Sequence, residues 1–396
     1  MKWDYSSNKG RARARGLRAQ DYLALASVND PFYVGTPADI DRAEWFAGLF
    51  SRFGFTQGVH LRRIHYRIVS EAEPVILPDG TPYENTAECW NAIGVASKAA
   101  RYLGLVDPAA FDDRRNPEPV VYAPGHPGRP AVCVDEADAV ARQAIPRRLA
   151  LPALFVEGYD PAQPYHLEIW AEKTTMNDVL MPLCERYGVT LVTGAGELSI
   201  TSVCLLLERA RQSGRPVRIF YVSDFNPAGR SMPVAVSRKI EFFARNKTPG
   251  LDLDLFAAVL TSEQVAGYDL PRTPIKASER RRESFEQRHG SGATELDALE
   301  ALRPGELKSI LERHILRYHD ETLDERTAEA ESEAEDLASQ ATRRVHDHHR
   351  ERIDELDARY QELVAQIEQV EEEAESLRQP KAKFRGDWRH RSHAIR

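Results

Sequence analysis

The chain has 396 residues, 42% of them hydrophobic, enough for two compact domains and an appendage at roughly 100 to 200 residues per domain. No apolar run approaches the roughly 20 residues that span a bilayer, so no membrane partner is expected. The net charge of −8 is unevenly held: residues 321–378 carry 19 acidic and 7 basic side chains, which leaves the rest of the chain at +4.

In chain order, residues 1–40 form a basic arm, with Lys2, Lys9, Arg11, Arg13, Arg15 and Arg18 against Asp4 near its start. It has no apolar stretch of the secretory kind, so a cytoplasmic protein is expected, nucleoid-associated if it binds DNA. Residues 41–113 read as short helices, AEWFAGLFSRFG, VHLRRIHYRIVS and ENTAECWNAIGVASKAARYLG, with Gly54 and Gly104 at helix ends. That pattern suits a winged-helix or helix-turn-helix unit, and the Pro-rich stretch 117–130 reads as a linker or wing. From His166 the pattern becomes strand 167–170, helix 174–187, strand 189–193, helix 199–212, strand 217–223 and helix 230–243. Alternation of this kind predicts a parallel sheet covered on both faces, with ligands at the carboxyl ends of its strands. Near the end, Ile353, Leu356, Tyr360, Leu363, Ile367, Val370, Ala374 and Leu377 form a four-heptad seam. The seam fits either a coiled coil between two copies or a hairpin on the chain's own body. The last residues are basic again, with Lys381, Lys383, Arg385, Arg389, Arg391 and Arg396 against Asp387. Basic ends of this kind can contact phosphates. Cys89, Cys133, Cys184 and Cys204 lack metal-ligand or disulfide spacing and are expected as buried thiols.

Two places could carry chemistry. Glu172 and Lys173 follow the first strand of the sheet, and SDFNPAG, 223–229, follows the third. A hard cation such as Mg²⁺ keeps several waters, so the two or three oxygens of Glu172, Asp224 and Asn226 would suffice to hold it. There it would polarise a phosphodiester. The same residues also fit a surface carboxylate and a turn before Pro227, and spacing does not separate the readings. The second place is Tyr66. On a helix, Leu61, Ile64, His65, Ile68 and Val69 share one face and leave Tyr66 opposite, beside Arg62, Arg63 and Arg67. A tyrosine among phosphate-binding cations is placed as a nucleophile on DNA would be, although stacking or packing fits it too. The Gly194-Ala195-Gly196 turn lacks the third glycine of a dinucleotide site, with Ser199 in its place. His346, His348 and His349 read as an exposed polar face.

IWAEKTTM, TGAGELS and YVSDFNPAGRSM together resemble the Toprim domain of topoisomerase VI A subunits and the related meiotic double-strand-break transesterase. The resemblance covers roughly residues 40 to 315, and the later LPRTPIK and ATELDALEALRPGEL resemble bacterial and phage-borne relatives. It implies an α/β fold: a Toprim domain (Rossmann-like parallel sheet) at 160–318 after a winged-helix (CAP-like) DNA-binding domain at 41–150. A helical coiled-coil segment at 319–379 and a basic tail at 380–396 would follow. It further implies Mg²⁺ or Mn²⁺ held by Glu172, Asp224 and Asn226, with Glu197 near enough to act through water, and Lys173 in the site. Tyr66 would be the transesterifying residue, Arg62, Arg63 and Arg67 the DNA contacts, and a homodimer the active form. The family's loop carries a second aspartate where this chain has Asn226, so one negative charge is missing, and His65 stands where the family's first aromatic would be. No GxxxxGK[ST] loop occurs, so strand passage would need a separate ATPase partner subunit. A hydrolytic Toprim nuclease and a non-catalytic DNA-binding assembly protein are the rival expectations.

Overall fold

The structure is a computed structural model that describes residues 5–112, 117–122, 131–135, 153–158, 161–194, 196 and 198–378. The tail at 380–396, Glu197 and much of the Pro-rich stretch lie outside the described residues. Contacts divide the chain into two units, Met1–His126 with Ala162–Glu321, and Pro127–Pro161 with Thr322–Arg396. The fold is mixed α/β with a small parallel sheet. Among the described residues, no helix is long and apolar enough to cross a membrane.

The first unit opens with α1 (Tyr5–Ala14) and α2 (Pro37–Arg52). Thr36 caps α2 in a reciprocal box with Asp39, and Pro37 takes the first helical position, where its missing N–H costs nothing. Between the helices, the carboxylate of the fully buried Asp30 accepts from the backbone of Ala24, Leu25 and Phe32 and meets the Arg238 guanidinium at 3.3 Å. Much of the stretch expected as a basic arm is therefore built into this unit. Next come α3 (Leu61–Val69) and α4 (Ala87–Tyr102). Gly54 and Gly104 lie just beyond α2 and α4 with φ of 68° and 72°, the left-handed conformation that ends a helix at low cost in glycine.

Two strands, β1 (Ala131–Asp135) and β2 (Ala153–Glu157), belong to the second unit and pair antiparallel. The main sheet follows in the first unit: β3 (His166–Ala171), α5 (Asn177–Tyr187), β4 (Thr190–Thr193), α6 (Ile200–Ser213), β5 (Val217–Val222), α7 (Pro227–Lys247) and β6 (Leu253–Val259). All pairings are parallel, in the order β4-β3-β5-β6. The helix expected at 230–243 starts three residues earlier, because Pro227 at its first position and Asn226 as its cap are themselves start signals. The fourth strand was not expected. Val120, in the stretch expected as linker or wing, makes an antiparallel bridge to Leu191 on the sheet edge. Four short helices complete the unit: α8 (Ser262–Gly267), α9 (Arg282–His289), α10 (Leu296–Leu302) and α11 (Glu306–Ile315).

Strand alternation sends Trp170, Ile219 and Tyr221 to one face, where they share a core with α6, α7 and the helices α2 to α4. Ile169, Phe220 and Val222 go to the other, against α5 and α8 to α11. In the second unit, α12 (Leu323–His348) lies on β2, where the Leu154 N–H donates to Thr342 Oγ1 at 3.3 Å, and α13 (Arg350–Arg378) follows. Cys89, Cys184 and Cys204 are buried free thiols.

One polar group is sunk into the first core. Glu168 on β3 is fully buried, takes a two-pronged bond from Arg209 of α6 at 2.8 and 2.9 Å, and accepts from Trp170 Nε1 and pairs with His166. Burial alone would raise its carboxyl pKa, but the Arg209 charge and the His166 bond outweigh this and hold it at about 2, from an ordinary 4.5. A depressed folded pKa stabilises the fold above the unfolded value and is lost as pH falls through the folded one. The wild-type melting temperature is therefore expected to fall between about pH 4.5 and 2, and Glu168→Gln to remove that part of the pH dependence. Arg209→Met, which strands the carboxylate, should cost about 3 kcal/mol by chemical denaturation.

Candidate functional site

In the order β4-β3-β5-β6 the chain leaves β3 toward β4 on one side and returns to β5 on the other. The carboxyl ends of β3 and β5 are thus the point where the winding reverses, the crevice in which open α/β sheets bind ligands. Glu172 and Asp224 follow those two ends. The register pairs Ala171 with Val222, and the Glu172 N–H extends it by donating to the Val222 carbonyl at 2.9 Å. On the other side, the Gly196 N–H donates to the Glu172 carbonyl at 3.2 Å. The Asp224 N–H then donates to Glu172 Oε2 at 3.2 Å, so two loops 52 residues apart in sequence are joined through a carboxylate.

The loop 223–229 is held from inside. Phe225 is fully buried, packs edge-on to Phe285 at 5.3 Å and exchanges backbone hydrogen bonds with Thr294. Asn226 Oδ1 caps α7 by accepting from the Gly229 N–H at 2.8 Å, and Ser223 Oγ donates to the Gly229 carbonyl at 3.0 Å. A Cβ at Gly229 would lie 2.0 Å from the Asp224 carbonyl oxygen, so no larger residue fits while the loop keeps this shape.

The Phe225–Thr294 bridge brings in a segment that sequence reasoning missed. The Leu296 N–H donates to Asp224 Oδ1 at 3.0 Å. Lys173 Nζ lies 2.8 Å from Asp224 Oδ2 and 3.7 Å from both Glu295 Oε2 and Asp297 Oδ2. Lys173 is thus surrounded by three carboxylates. Burial alone would lower its pKa, but the Asp224 bond and the charges of Asp224, Glu295 and Asp297 outweigh it and push it up. Among the described residues, no ion pair reaches the oxygens of Glu172. Burial first, then the negative charge of Asp224, push its carboxyl pKa above the ordinary range.

Among the described residues, no group of three or more His, Cys, Asp or Glu side chains stands where it could hold a metal ion. What the strand ends present is a carboxylate pair, Glu172 and Asp224, with the Asn226 amide oxygen on the same loop. Hard oxygen donors and an under-neutralised buried carboxylate fit Mg²⁺ or Mn²⁺, which need few protein ligands and keep waters. Asn226 Oδ1 already serves Gly229, and a carbonyl oxygen has a second lone pair to offer.

The other candidates lie on α3. Its buried side is Ile64, His65 and Ile68, whereas Arg62, Arg63, Tyr66 and Arg67 are exposed, Tyr66 by 53%. His65 is fixed by Tyr83 at 2.6 Å and Asn85 at 3.1 Å, which orients the helix. Arg67 pairs with Glu71 at 2.5 Å and lies over the Phe53 ring, and Arg63 lies over Phe55. Arg62 lines a cleft of about 770 Å³ that also includes Lys98, Arg101 and, at the start of α6, Ser199 and Thr201. Lys98 and Arg101 stand three apart on one turn of α4, a spacing that could have marked them as part of a basic face. Among the described residues, no hydrogen bond, ion pair or ring contact joins Tyr66 to Glu172, Asp224 or Asn226.

Compared with family models and with curated proteins, the chain finds no match.

A carboxyl with a raised folded pKa costs stability as pH climbs from the unfolded value through the folded one. Glu172→Gln is therefore expected to raise the melting temperature at pH 7 to 8 in chelator, and to leave it unchanged near pH 4. Gly229→Ala should lower it at all pH values, by the equivalent of about 1 to 3 kcal/mol.

Proposed function

We propose that this chain is a Mg²⁺-dependent DNA-binding and DNA-cleaving protein of the Toprim class, related to topoisomerase VI A subunits. The observation that supports this most is the meeting of Glu172 and Asp224 at the reversal of the sheet, where the resemblance in IWAEKTTM and YVSDFNPAGRSM would put a metal site. On this reading residues 160–318 are the Toprim domain. Residues 41–126, the part of the expected 41–150 span that belongs to the first unit, are the winged-helix domain, and α3 is its DNA-facing helix.

Glu172, Asp224 and Asn226 would hold the cation. When bound, Mg²⁺ supplies charge neutralisation at the scissile phosphate. Lys173, held by Asp224, Glu295 and Asp297, keeps a fixed positive charge beside the carboxylate pair and would steer the phosphate toward it. Arg62 and Arg63 would grip backbone phosphates, and Arg67, already braced by Glu71, would set the helix against the duplex. Tyr66 Oη then attacks phosphorus. Its bond to phosphorus forms as the bond to the 3′ oxygen breaks, giving a 5′-phosphotyrosyl link and a 3′-hydroxyl that takes up the proton. The lack of contact between Tyr66 and the carboxylates within one chain fits a homodimer in which each tyrosine works with the partner's metal site. Strand passage would need the separate ATPase subunit.

Incubated with supercoiled plasmid and Mg²⁺ or Mn²⁺, wild-type protein is expected to nick or linearise it and to remain attached to 5′ ends. Tyr66→Phe should reduce attachment to background. Plasmid cut by Tyr66→Phe at the wild-type rate would instead establish the hydrolytic nuclease. Uncut plasmid with both wild-type protein and Asn226→Asp, each still retarding duplex DNA, would establish the non-catalytic assembly protein.

Metal binding can be read without activity. Mn²⁺ should raise the wild-type melting temperature, Glu172→Gln and Asp224→Asn should abolish the rise, and Asn226→Asp should tighten Mn²⁺ severalfold, because ligand charge tunes affinity. No Mn²⁺ effect on the wild-type protein would overturn the metal site.

A further inference from the structure

We infer that α13 is one strand of a parallel, in-register, two-stranded coiled coil formed with a second copy of this chain. The argument starts from what the helix leaves uncovered. Leu356, Leu363 and Val370 occupy successive d positions of the heptad seam and are 38%, 49% and 64% exposed. Large apolar side chains spaced by seven residues along a 29-residue helix form one continuous stripe. Such a stripe calls for a matching helix.

Four residues of the stripe favour two strands. Ile353 and Ile367 at a, with Leu356 and Leu363 at d, follow the combination that favours two-stranded parallel coils, a β-branched side chain in the a layer and leucine in the d layer, while Tyr360 and Ala374 at a and Val370 at d depart from it. The flanking positions choose the orientation. In a parallel, in-register pair each g residue faces the e residue of the following heptad on the other helix. Arg352 would then face Asp357 of the second copy, and two-fold symmetry makes this contact twice. Gln366 would face Glu371 without repulsion. Arg359 would lay its methylene stem along Val364, which widens the apolar stripe at an e position. Turned antiparallel, with the seams still matched, Asp357 of one helix would approach Glu371 of the other, two like-charge contacts that cancel the Arg359–Glu373 attraction that arrangement also offers. Within one chain, Arg352 reaches Glu355 at 2.5 Å, whereas Asp357 lies five residues on, too far round the helix to be its intrahelical partner.

The inference concerns α13 alone and does not depend on the cleavage reading. The full-length Leu356→Cys variant tests it under mild oxidation, with wild-type protein as the control for Cys89, Cys133, Cys184 and Cys204. Only a parallel, in-register pair brings the two 356 positions together. Most of the variant is expected as a disulfide-linked species of twice 44.7 kDa, with none from wild type. In the same background Arg352→Glu should cut the yield severalfold, and Arg352→Glu with Asp357→Arg should restore it. Linkage only when Leu356→Cys is mixed with Ala374→Cys would mean an antiparallel pair, and no linkage in either case would mean no coil; each overturns the proposal. Failure of the charge swap to restore the yield would overturn the register. None of these outcomes alters the plasmid and Mn²⁺ results, so the two proposals fail separately.

Discussion

The register of β3 on β5 is the constraint on which the site depends. Parallel strands have no local turn to fix their alignment, so the crossover through α5, β4 and α6 must return the chain to the correct neighbour before any contact of the site exists. Six paired positions, from His166 with Val217 to Ala171 with Val222, then set Glu172 level with Ser223 and Asp224. Slippage by one residue would turn Trp170 and Ile169 to each other's faces and unseat Glu168 from Arg209. The buried ion pair therefore belongs to the same alignment that positions the carboxylates at the far end of the strands.

The carboxylate pair and its surroundings are held in different ways. Glu172 and Asp224 are fixed by backbone, through the sheet extension, the Asp224 N–H and the Leu296 N–H. Lys173 is held on Asp224 at 2.8 Å, whereas Glu295 and Asp297 approach that lysine at 3.7 Å and are more exposed. A surface carboxylate contributes little to folding when it is solvated, so Glu295 and Asp297 can change at little cost to the fold, whereas loss of Lys173 would strand the buried Asp224 carboxylate.

Much of the architecture was legible in the sequence because periodicity reports burial. The side of α3 that is buried, the glycine stops at 54 and 104, and the ends of β3 and β5, each within one residue of the expected 170 and 223, follow from local pattern. Other features required knowledge of spatial neighbours. The order of the strands is absent from their sequences, and the run into β6, where Asp252 and Asp254 alternate with leucines, has the pattern of a partly exposed edge rather than a core strand. Glu295 and Asp297 sit in ATELDALEAL, where acidic residues are common and nothing local separates those beside Lys173 from the rest. Asp30 gave no signal before Arg238 was known to face it, 208 residues away. Asn226 was legible in part: its place in the loop was clear, but its hydrogen bond to Gly229 makes it a helix cap as well, a duty asparagine and aspartate perform about equally.

The bonds around Gly229 bear on the entropy of the site. Ser223 holds its carbonyl, Asn226 holds its N–H, and the Asp224 carbonyl occupies the space a side chain would need. A loop of seven residues is thereby locked onto the first turn of a 21-residue helix. Its freedom has already been surrendered on folding, so a ligand arriving at Asp224 has little ordering left to impose, and more of its interaction energy can appear as affinity.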